Sequence, residues 1–259
     1  LGREEDGLCQ PMTLCFRIAG VDIPRCRQGL ERAQKLYKQW LQEGRLRNPR
    51  EDILLFDTMH DGVIHVNSTR IVKRSPVDAW DRTQAEIEAR EQVFELFHFL
   101  RENADGFENS RLLSTAMEIG VRESRRIEGL YTLTAEDLKA CPRFEDAVAL
   151  GNYDIDIHNP AGSGTSHYYF PAGQYYTIPY RSLVPACTDN LLVAGRCISA
   201  THEAQASIRI MPIVCCLGQA AGAAAAVAAK TGEDVRRVDV RQVQVLLKKG
   251  GAAIDEPLG

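Results

Sequence analysis

The sequence of 259 residues lacks the patterns that mark several common classes of protein. Its eight cysteines include no C-x-x-C pair, and their spacing fits neither a zinc site nor an iron–sulfur cluster. Its basic residues are spread out and balanced by acids, which argues against a nucleic-acid partner. It contains no strand–G-x-G-x-x-G–helix unit, the turn that holds the pyrophosphate of a dinucleotide. Function must therefore be sought in other segments.

The cysteines and histidines predict a protein of a reducing compartment without a metal centre. Several cysteines lie within apolar runs, where a thiol behaves as a small hydrophobe, so we expect reduced thiols and a cytoplasmic location. Five histidines, at positions 60, 65, 158, 167 and 202, show no two-histidine helical motif and no well-spaced carboxylate partner. We therefore expect no metal site.

The first part of the chain predicts strands followed by helices. Alternating and β-branched apolar residues predict strands, and apolar residues at helical spacing predict helices. His60-Asp61-Gly62 lies between two apolar runs, which is typical of a hairpin. The predicted elements are a strand over 12–21, a helix over 25–43, a hairpin of strands over 53–57 and 63–67 with an extension at 70–73, and a helix from 75 to about 102.

The remainder predicts shorter elements and one long apolar helix. Thr134-Ala-Glu-Asp137 resembles a capping box that starts a helix. The predicted elements are short helices over 112–120, after Thr134 and over 144–150, loops and short strands over 151–185, a strand over 191–194, a helix over 209–230, and a helix capped by Asp239 and closed by Gly250-Gly251. We expect an α/β fold with a sheet-based substrate domain over 1–150 and a second domain over 151–259.

The segment 190–230 carries most of the chemical information. An apolar strand over 191–194 is followed at once by Gly195, and Met211-Pro212 then begins a helix. The first amides of a helix lack internal partners, and the helix dipole favours a phosphate or an electron-rich ring there. Strand–glycine–helix units of this kind also occur in many α/β proteins that bind nothing at the turn, so the pattern alone leaves a cofactor site undecided.

The same helix has a second interpretation. Residues 210–229 include only Gln219 as a strongly polar side chain, and their number approaches that of a membrane span. Much of this run is alanine and glycine, which gain little from contact with lipid, and no basic cluster flanks it in the expected way. We therefore expect a buried core helix, with a membrane anchor as the alternative.

Several blocks of sequence resemble the C-terminal signature of a bacterial family of FAD-dependent oxidoreductases with the glutathione-reductase-type FAD fold. The blocks lie at 178–185, 190–204, 207–212 and 217–222, with further motifs at 120–127 and 156–160. The resemblance implies FAD as the cofactor and a Rossmann-like FAD-binding domain to which this chain contributes the last strand and helix. It places Gly195 and Arg196 beside the ribityl phosphate, and Ser207, Ile210 and Met211 in the turn that meets the flavin ring.

The resemblance also predicts that the chain is a piece of a longer protein. Members of the family begin with the G-x-G-x-x-G module, and residue 1 is not Met but Leu, at the start of a polar segment. We therefore expect the chain to follow that module and to hold about half of the FAD site.

The expected function is hydride transfer between the flavin N5 position and an unidentified small molecule. Flavin enzymes need a substrate held over the ring and a group that moves a proton. We take His202, Glu203, Arg209 and Arg122 as the first catalytic candidates, followed by His158, His167, Tyr180 and Arg181. A histidine in a loop is more often a structural hydrogen-bonding residue, and the arginines equally suit a bracing role.

Two alternatives to a complete enzyme remain at this stage. In the first, the chain is an incomplete, non-catalytic subunit that needs a partner carrying the nucleotide-binding half. In the second, the protein is anchored to a membrane through residues 210–229. The expected partner is the missing FAD-binding half or a second copy of the chain.

Overall fold

The computed structural model describes residues 1–255, which form two compact units. The N-terminal unit comprises Leu8–Val121 and His158–Gly164, and the C-terminal unit comprises Leu1–Gly7, Arg122–Ile157 and the chain from Thr165 onward. The predicted boundary between residues 150 and 151 does not coincide with this division. The difference arises because Leu133, Leu138 and Val148 pack into the core of the C-terminal unit.

The N-terminal unit contains a four-stranded sheet with the order β2-β3-β1-β4. The three neighbouring pairs of strands are all antiparallel. The strands are β1 Phe16–Ala19, β2 Leu55–Asp57, β3 Val63–Val66 and β4 Arg111–Thr115. The hairpin predicted around His60-Asp61-Gly62 is therefore present as β2 and β3, and Gly62 has a φ of 68° at its turn.

Two helices supply the rest of this unit's core. They are α1 Ile23–Gln42 and α2 Ala79–Asn103, which correspond to the predicted helices over 25–43 and from 75 to about 102. Each begins at an aspartate, Asp22 or Asp78, whose side chain accepts a hydrogen bond from an amide in the first turn. Their buried apolar side chains pack with Phe16, Ile18 and Val66 of the sheet.

The segment His158–Gly164 is attached to this unit through the buried side chain of Arg70, which is 1% exposed. Its guanidinium donates to Glu51 Oε1 at 3.0 Å and to the carbonyl of Gly164 at 3.2 Å. It also lies 3.2 Å from His158 Nδ1. Gln92 bonds both backbone groups of Arg70, at 2.9 and 3.0 Å. Arg70 therefore joins two separate stretches of chain into one unit.

The C-terminal unit surrounds a second hydrophobic core. Its strands are β5 Ala147–Gly151, β6 Ile155–His158, β7 Thr165–Tyr168 and β8 Tyr176–Pro179, of which β6 ends with a residue, His158, that belongs to the N-terminal unit. Its helices are α3 Ala135–Ala140, α4 His202–Ile208, α5 Met211–Thr231 and α6 Val240–Lys249. β5 pairs with β8, and α5 contributes Leu217, Ala220 and Ala224 to the core. The capping box predicted at Thr134 and the cap at Asp239 are both present.

Three predicted elements are wrong in type. Residues 111–115 form β4 and 147–151 form β5 rather than helices, because tertiary pairing with β1 and β8 overrides local helix propensity. Residues 191–194 form no strand, since only the Val193 amide makes a backbone bond there, to Leu183 at 2.9 Å. An apolar run becomes a strand only when a second strand completes its ladder.

The helix α5 retains the features that suggested a membrane span. It is long and apolar enough to cross a bilayer by length and composition, with a mean hydropathy of 1.7. Only 33% of its most apolar window is buried. Helices inside soluble proteins pass the same test, so this finding alone is weak support for an anchor.

Candidate functional site

The turn between α4 and α5 presents the start of a long helix without a side-chain cap. Ile210 is the N-cap residue of α5, and its side chain forms no capping hydrogen bond. No acidic residue lies in the first turn of α5, and Met211 is 82% exposed. The amides at this end therefore carry the partial positive charge of the helix dipole and face the surface. A negatively charged or electron-rich group is favoured at this position.

Gly195 lies next to this helix end. It has a φ of 98°, a conformation that side chains other than glycine rarely adopt, and a β-carbon built there would be 3.8 Å from Val214 Cγ1. Arg196 follows it and is exposed. The loop after residue 194 thus reaches the first turn of α5 even though the preceding strand is absent. Gly195 therefore lies near the first turn of α5, which begins with Ile210 as its N-cap and Met211. All three residues and Arg196 are predicted to contact the cofactor.

A buried carboxylate and imidazole pair lies at the opposite end of α4. His202 is the first residue of α4 and is 4% exposed. Its Nδ1 lies 2.8 and 2.9 Å from the two carboxylate oxygens of Glu123. Arg126 pairs with the same carboxylate, which balances its charge. His202 Nε2 is buried and has no hydrogen-bond partner within residues 1–255.

This arrangement determines which nitrogen of His202 carries the proton. An ionised carboxylate accepts hydrogen bonds only, so Nδ1 donates to Glu123. In the neutral imidazole, Nε2 then keeps a lone pair. The geometry is that of a general base oriented by an acidic partner.

A second buried ion pair lies at the end of α4. The guanidinium of Arg209, the C-cap residue, approaches Asp156 Oδ2 at 3.3 Å. His167 Nε2 is 3.6 Å from the other oxygen of Asp156. Burial lowers the pKa of Arg209, the Asp156 charge opposes this shift, and the positive charge of Arg196 adds to it. Nε of Arg209 has no hydrogen-bond partner among the described residues.

The side chain of Ser207 has a structural role in this structure. Its hydroxyl lies 2.7 Å from the Tyr176 hydroxyl and donates to the carbonyl of Tyr153. Ser207 also lies within α4, where backbone amides are bonded along the helix. Of the residues predicted to form the turn at the flavin, Ser207 therefore lies within α4. Arg209 and Ile210 connect the two helices, and Met211 is the first residue of α5.

The other predicted candidates are dispersed. Arg122 offers its carbonyl to Gln205 at 2.8 Å. Glu203 lies in the first turn of α4, where a carboxylate stabilises the helix dipole, and it forms no ion pair within the described part of the chain. Tyr180 donates to the carbonyl of Val235 at 2.8 Å, and Arg181 bonds Asp146 at 3.0 Å. His158 belongs to the N-terminal unit with Arg70.

Glu123 and Asp156 are the residues that sequence reasoning missed. Both lie in segments that resemble motifs of the family, at 120–127 and 156–160. Their partners His202 and Arg209 are more than 50 residues away in the chain. The only signal in the sequence was that an acidic residue and a histidine, Glu123 and His202, both lie in segments that resemble family motifs.

A groove runs along the exposed side of α5. It has a volume of about 650 Å³ and lies between Asn190–Leu192 and the small residues Ala221, Ala225 and Ala229. Gly218 and Gly222 are exposed on the same helix, and a β-carbon built on either would meet no atom within 4 Å. The groove is lined by small apolar residues of α5 and by the polar residues Asn190 and Glu233. Within residues 1–255, no group of three His, Cys, Asp or Glu side chains is arranged to hold a metal ion.

A helix end of this kind, beside a glycine that allows close approach, is favourable for an anionic or electron-rich group. The model of the family of FAD dependent oxidoreductases matches residues 1–247, nearly the whole chain. The chain therefore belongs to the FAD dependent oxidoreductase family, and its cofactor is FAD. No curated protein and no solved structure matches the chain.

Proposed function

We propose that the chain supplies the flavin-facing part of an oxidoreductase that moves a hydride between FAD and a small organic molecule. The observation that carries this proposal is the buried Nε2 atom of His202, which has no hydrogen-bond partner among the described residues. His202 lies on the short helix α4 that leads into α5, and Glu123 bonds the other nitrogen of its ring. Buried polar atoms without partners are rare in native proteins and call for a ligand or a catalytic role.

The residues present fit the flavin end of FAD. The amides at the start of α5 favour the electron-rich edge of the ring, and Gly195 permits close approach of the ribityl chain. FAD supplies hydride acceptance or donation when it is bound. Arg196, with its exposed guanidinium, suits a phosphate of the cofactor.

His202 performs the proton transfer in this proposal. When the substrate is oxidised, two electrons and one proton leave its carbon as hydride, and Nε2 of His202 accepts the proton of the adjoining O–H or N–H group. Glu123 stabilises the imidazolium that results and holds the ring in one orientation. Arg209 keeps Asp156 in place beside His167. The same groups act in the reverse order when the substrate is reduced.

We further propose that the FAD domain has the Rossmann-like, glutathione-reductase-type fold. In that fold, α5 and the segment that precedes Gly195 would be the last elements of the domain. We also propose that the protein is bacterial and cytoplasmic. The groove between residues 190–192 and the small residues of α5 supports the first point, because a neighbouring element of such a domain would fill it.

The experiment is an FAD titration of the purified protein, freed of flavin, with Met211→Asp and Val245→Asp as matched variants. Both residues are exposed on helices of the C-terminal unit. An aspartate in the first turn stabilises a helix, so Met211→Asp should fold normally while it repels the flavin. We expect Met211→Asp to weaken FAD binding about tenfold or more and Val245→Asp to leave it unchanged. Equal effects of the two variants on FAD binding would show that the flavin does not bind at the start of α5.

The second candidate function is that of a subunit completed by a partner carrying the nucleotide-binding half. The exposed apolar face of α5 favours it, since Gly218 and Gly222 have open space above them. Gly222→Phe should leave folding intact but block association with a strand–G-x-G-x-x-G–helix module. The coding sequence upstream of Leu1 decides between the two: such a module in frame indicates a single-chain enzyme, and the same module in a separate gene indicates a partner. A stop codon preceded by unrelated sequence counts against both.

A further inference from the structure

The four-stranded sheet of the N-terminal unit has one face that α1 and α2 do not cover. Phe16, Ile18 and Val66 point to the helices and are buried. The intervening residues point the other way, because side chains alternate along a strand. On this open face, Phe56, His65, Arg17 and Ser114 occupy one continuous row across the sheet. The row is set by the register, in which Phe56 opposes His65, His65 opposes Arg17, and Arg17 opposes Ser114.

A cavity of about 260 Å³ lies on this row. Its walls include Cys15, Arg17, His65, Ser114, Thr115 and Met117. The register between β1 and β4 shifts between Arg17 and Ile18, as at a β-bulge or a similar irregularity of the pairing. Bulges redirect side chains and are frequent beside binding sites. The cavity is therefore a feature of the strand pairing and does not depend on loops alone.

The cavity carries a positive charge that has no acidic partner. Arg17 forms no ion pair or hydrogen bond through its guanidinium within residues 1–255. The nearby arginines of the same unit differ, since Arg25 pairs with Glu108, Arg27 with Asp57, and Arg32 with Asp105. Burial lowers the pKa of His65, and the charge of Arg17 lowers it further. At neutral pH the imidazole therefore stays neutral and keeps one N–H donor.

We propose that this cavity binds the carboxylate of a small organic acid. The guanidinium of Arg17 presents two parallel N–H groups that match a carboxylate, and the Ser114 hydroxyl and the His65 ring offer further donors. The Phe56 ring, 6.1 Å from the His65 ring, and the exposed Met117 provide an apolar surface for the rest of the molecule. The volume suits a molecule of about the size of benzoate, since drug-sized ligands occupy roughly 300–1,000 Å³.

The proposal goes beyond the flavin chemistry and does not rest on it. Every residue of the cavity belongs to the N-terminal unit, whereas the His202 and α5 site belongs to the C-terminal unit. A negative FAD titration would therefore leave the proposed carboxylate site untouched. Conversely, the finding that Arg17 binds no carboxylate would leave the proposed flavin site untouched.

The experiment is a calorimetric or NMR titration of the whole chain with benzoate, its neutral analogue benzamide, and inorganic phosphate. We expect benzoate to bind at least about tenfold more tightly than benzamide, because the charge-assisted bonds to Arg17 are lost in the amide. Arg17→Gln should weaken benzoate binding about 10- to 100-fold. Arg17→Lys should restore only part of it. Arg111→Gln removes an exposed arginine from the same sheet that does not line the cavity, and it should have no effect.

Three results would overturn the proposal. Benzoate binding that Arg17→Gln leaves unchanged removes the guanidinium from the site. Phosphate that binds more tightly than benzoate, and competes with it, identifies a site for inorganic anions instead. Failure of the correctly folded wild-type chain to bind benzoate or phosphate shows that the cavity binds no small anion.

Discussion

Each compact unit contains a buried cluster of charged side chains, and the two clusters differ in whether the central side chain is fully bonded. In the N-terminal unit, the Arg70 guanidinium is bonded to Glu51, to two glycine carbonyls and to His158. In this first cluster, Nε of the neighbouring Arg50 lacks a hydrogen-bond partner among the described residues. In the C-terminal unit, His202 Nε2 and Arg209 Nε have no hydrogen-bond partners within the described residues. A buried central side chain whose polar atoms are all hydrogen-bonded stabilises the fold, whereas one with an unbonded polar atom can bind a ligand through that atom. We therefore assign a structural role to the Arg70 cluster and a catalytic role to the His202 cluster.

Removing Arg70 should give the largest effect. Arg70→Met removes the guanidinium that donates to Glu51 and to the carbonyls of Gly162 and Gly164, and Glu51 keeps the Gly164 amide as a donor. We expect a loss of about 3–5 kcal/mol in the free energy of unfolding. Arg32→Met, which removes an exposed ion pair with Asp105, should cost no more than about 1 kcal/mol. Urea denaturation followed by circular dichroism measures both. Equal losses would show that the Arg70 cluster is not the structural centre of the N-terminal unit.

Removing the imidazole of the C-terminal unit should affect rate rather than stability. His202→Gln keeps a polar group beside Glu123 but cannot accept the proton, so we expect kcat to fall by about 10²–10⁴-fold. The free energy of unfolding should change by less than about 1 kcal/mol. The assay is dye reduction with the best substrate from a panel of alcohols, amines and acids. A variant with full kcat would assign the proton transfer to another residue.

Removing the acidic partner of that imidazole should give a smaller loss of rate. Glu123→Gln disturbs the orientation of His202 and the stabilisation of its charged form, so kcat should fall by roughly 10–100-fold with little change in KM. Glu203→Gln is the matched control, because it removes a neighbouring carboxylate of α4 that forms no ion pair. Similar losses in the two variants would indicate a general charge effect in place of a positioning role for Glu123.

The smallest expected effect concerns stability at alkaline pH. Burial raises the pKa of Tyr176, so the folded state holds the phenol proton more tightly than the unfolded state does. The corresponding stability is fully present below the ordinary tyrosine pKa of about 10 and is lost as the pH rises above it. Tyr176→Phe should cost about 0.5–1.5 kcal/mol at neutral pH, because the bond to Ser207 is lost. It should also reduce the alkaline loss measured by denaturation at successive pH values, and an unchanged slope would contradict the assignment.

The sequence predicted the elements whose signals are local. Asp22 and Asp78 cap helices that have clear apolar periodicity, and Asp-Gly marks the hairpin turn. The strands at 111–115 and 147–151 were predicted as helices, because their pairing partners lie far away in the chain. A short apolar run does not reveal which strand it will meet.

The candidate site was predictable in position but incomplete in composition. The glycine and the helix start are visible as a pattern in the sequence, and the structure places Gly195 beside Val214 in the first turn of α5. Glu123 was not visible as a partner of His202, because 79 residues separate them and each looked like an ordinary polar residue. The side chain of Ser207 is engaged with Tyr176, which no local pattern indicates.

Hydrogen–deuterium exchange with and without FAD tests the central claim most directly. We expect FAD to slow amide exchange in the segments around His202 and Met211, where a buried ring nitrogen or helix amides lack partners, and around Glu123, which is bonded to His202. The segments around Arg70 and Glu51, whose bonds are already made, should show no change. Protection of the Arg70 segments alone, or of no segment at FAD concentrations that saturate binding, would contradict the account.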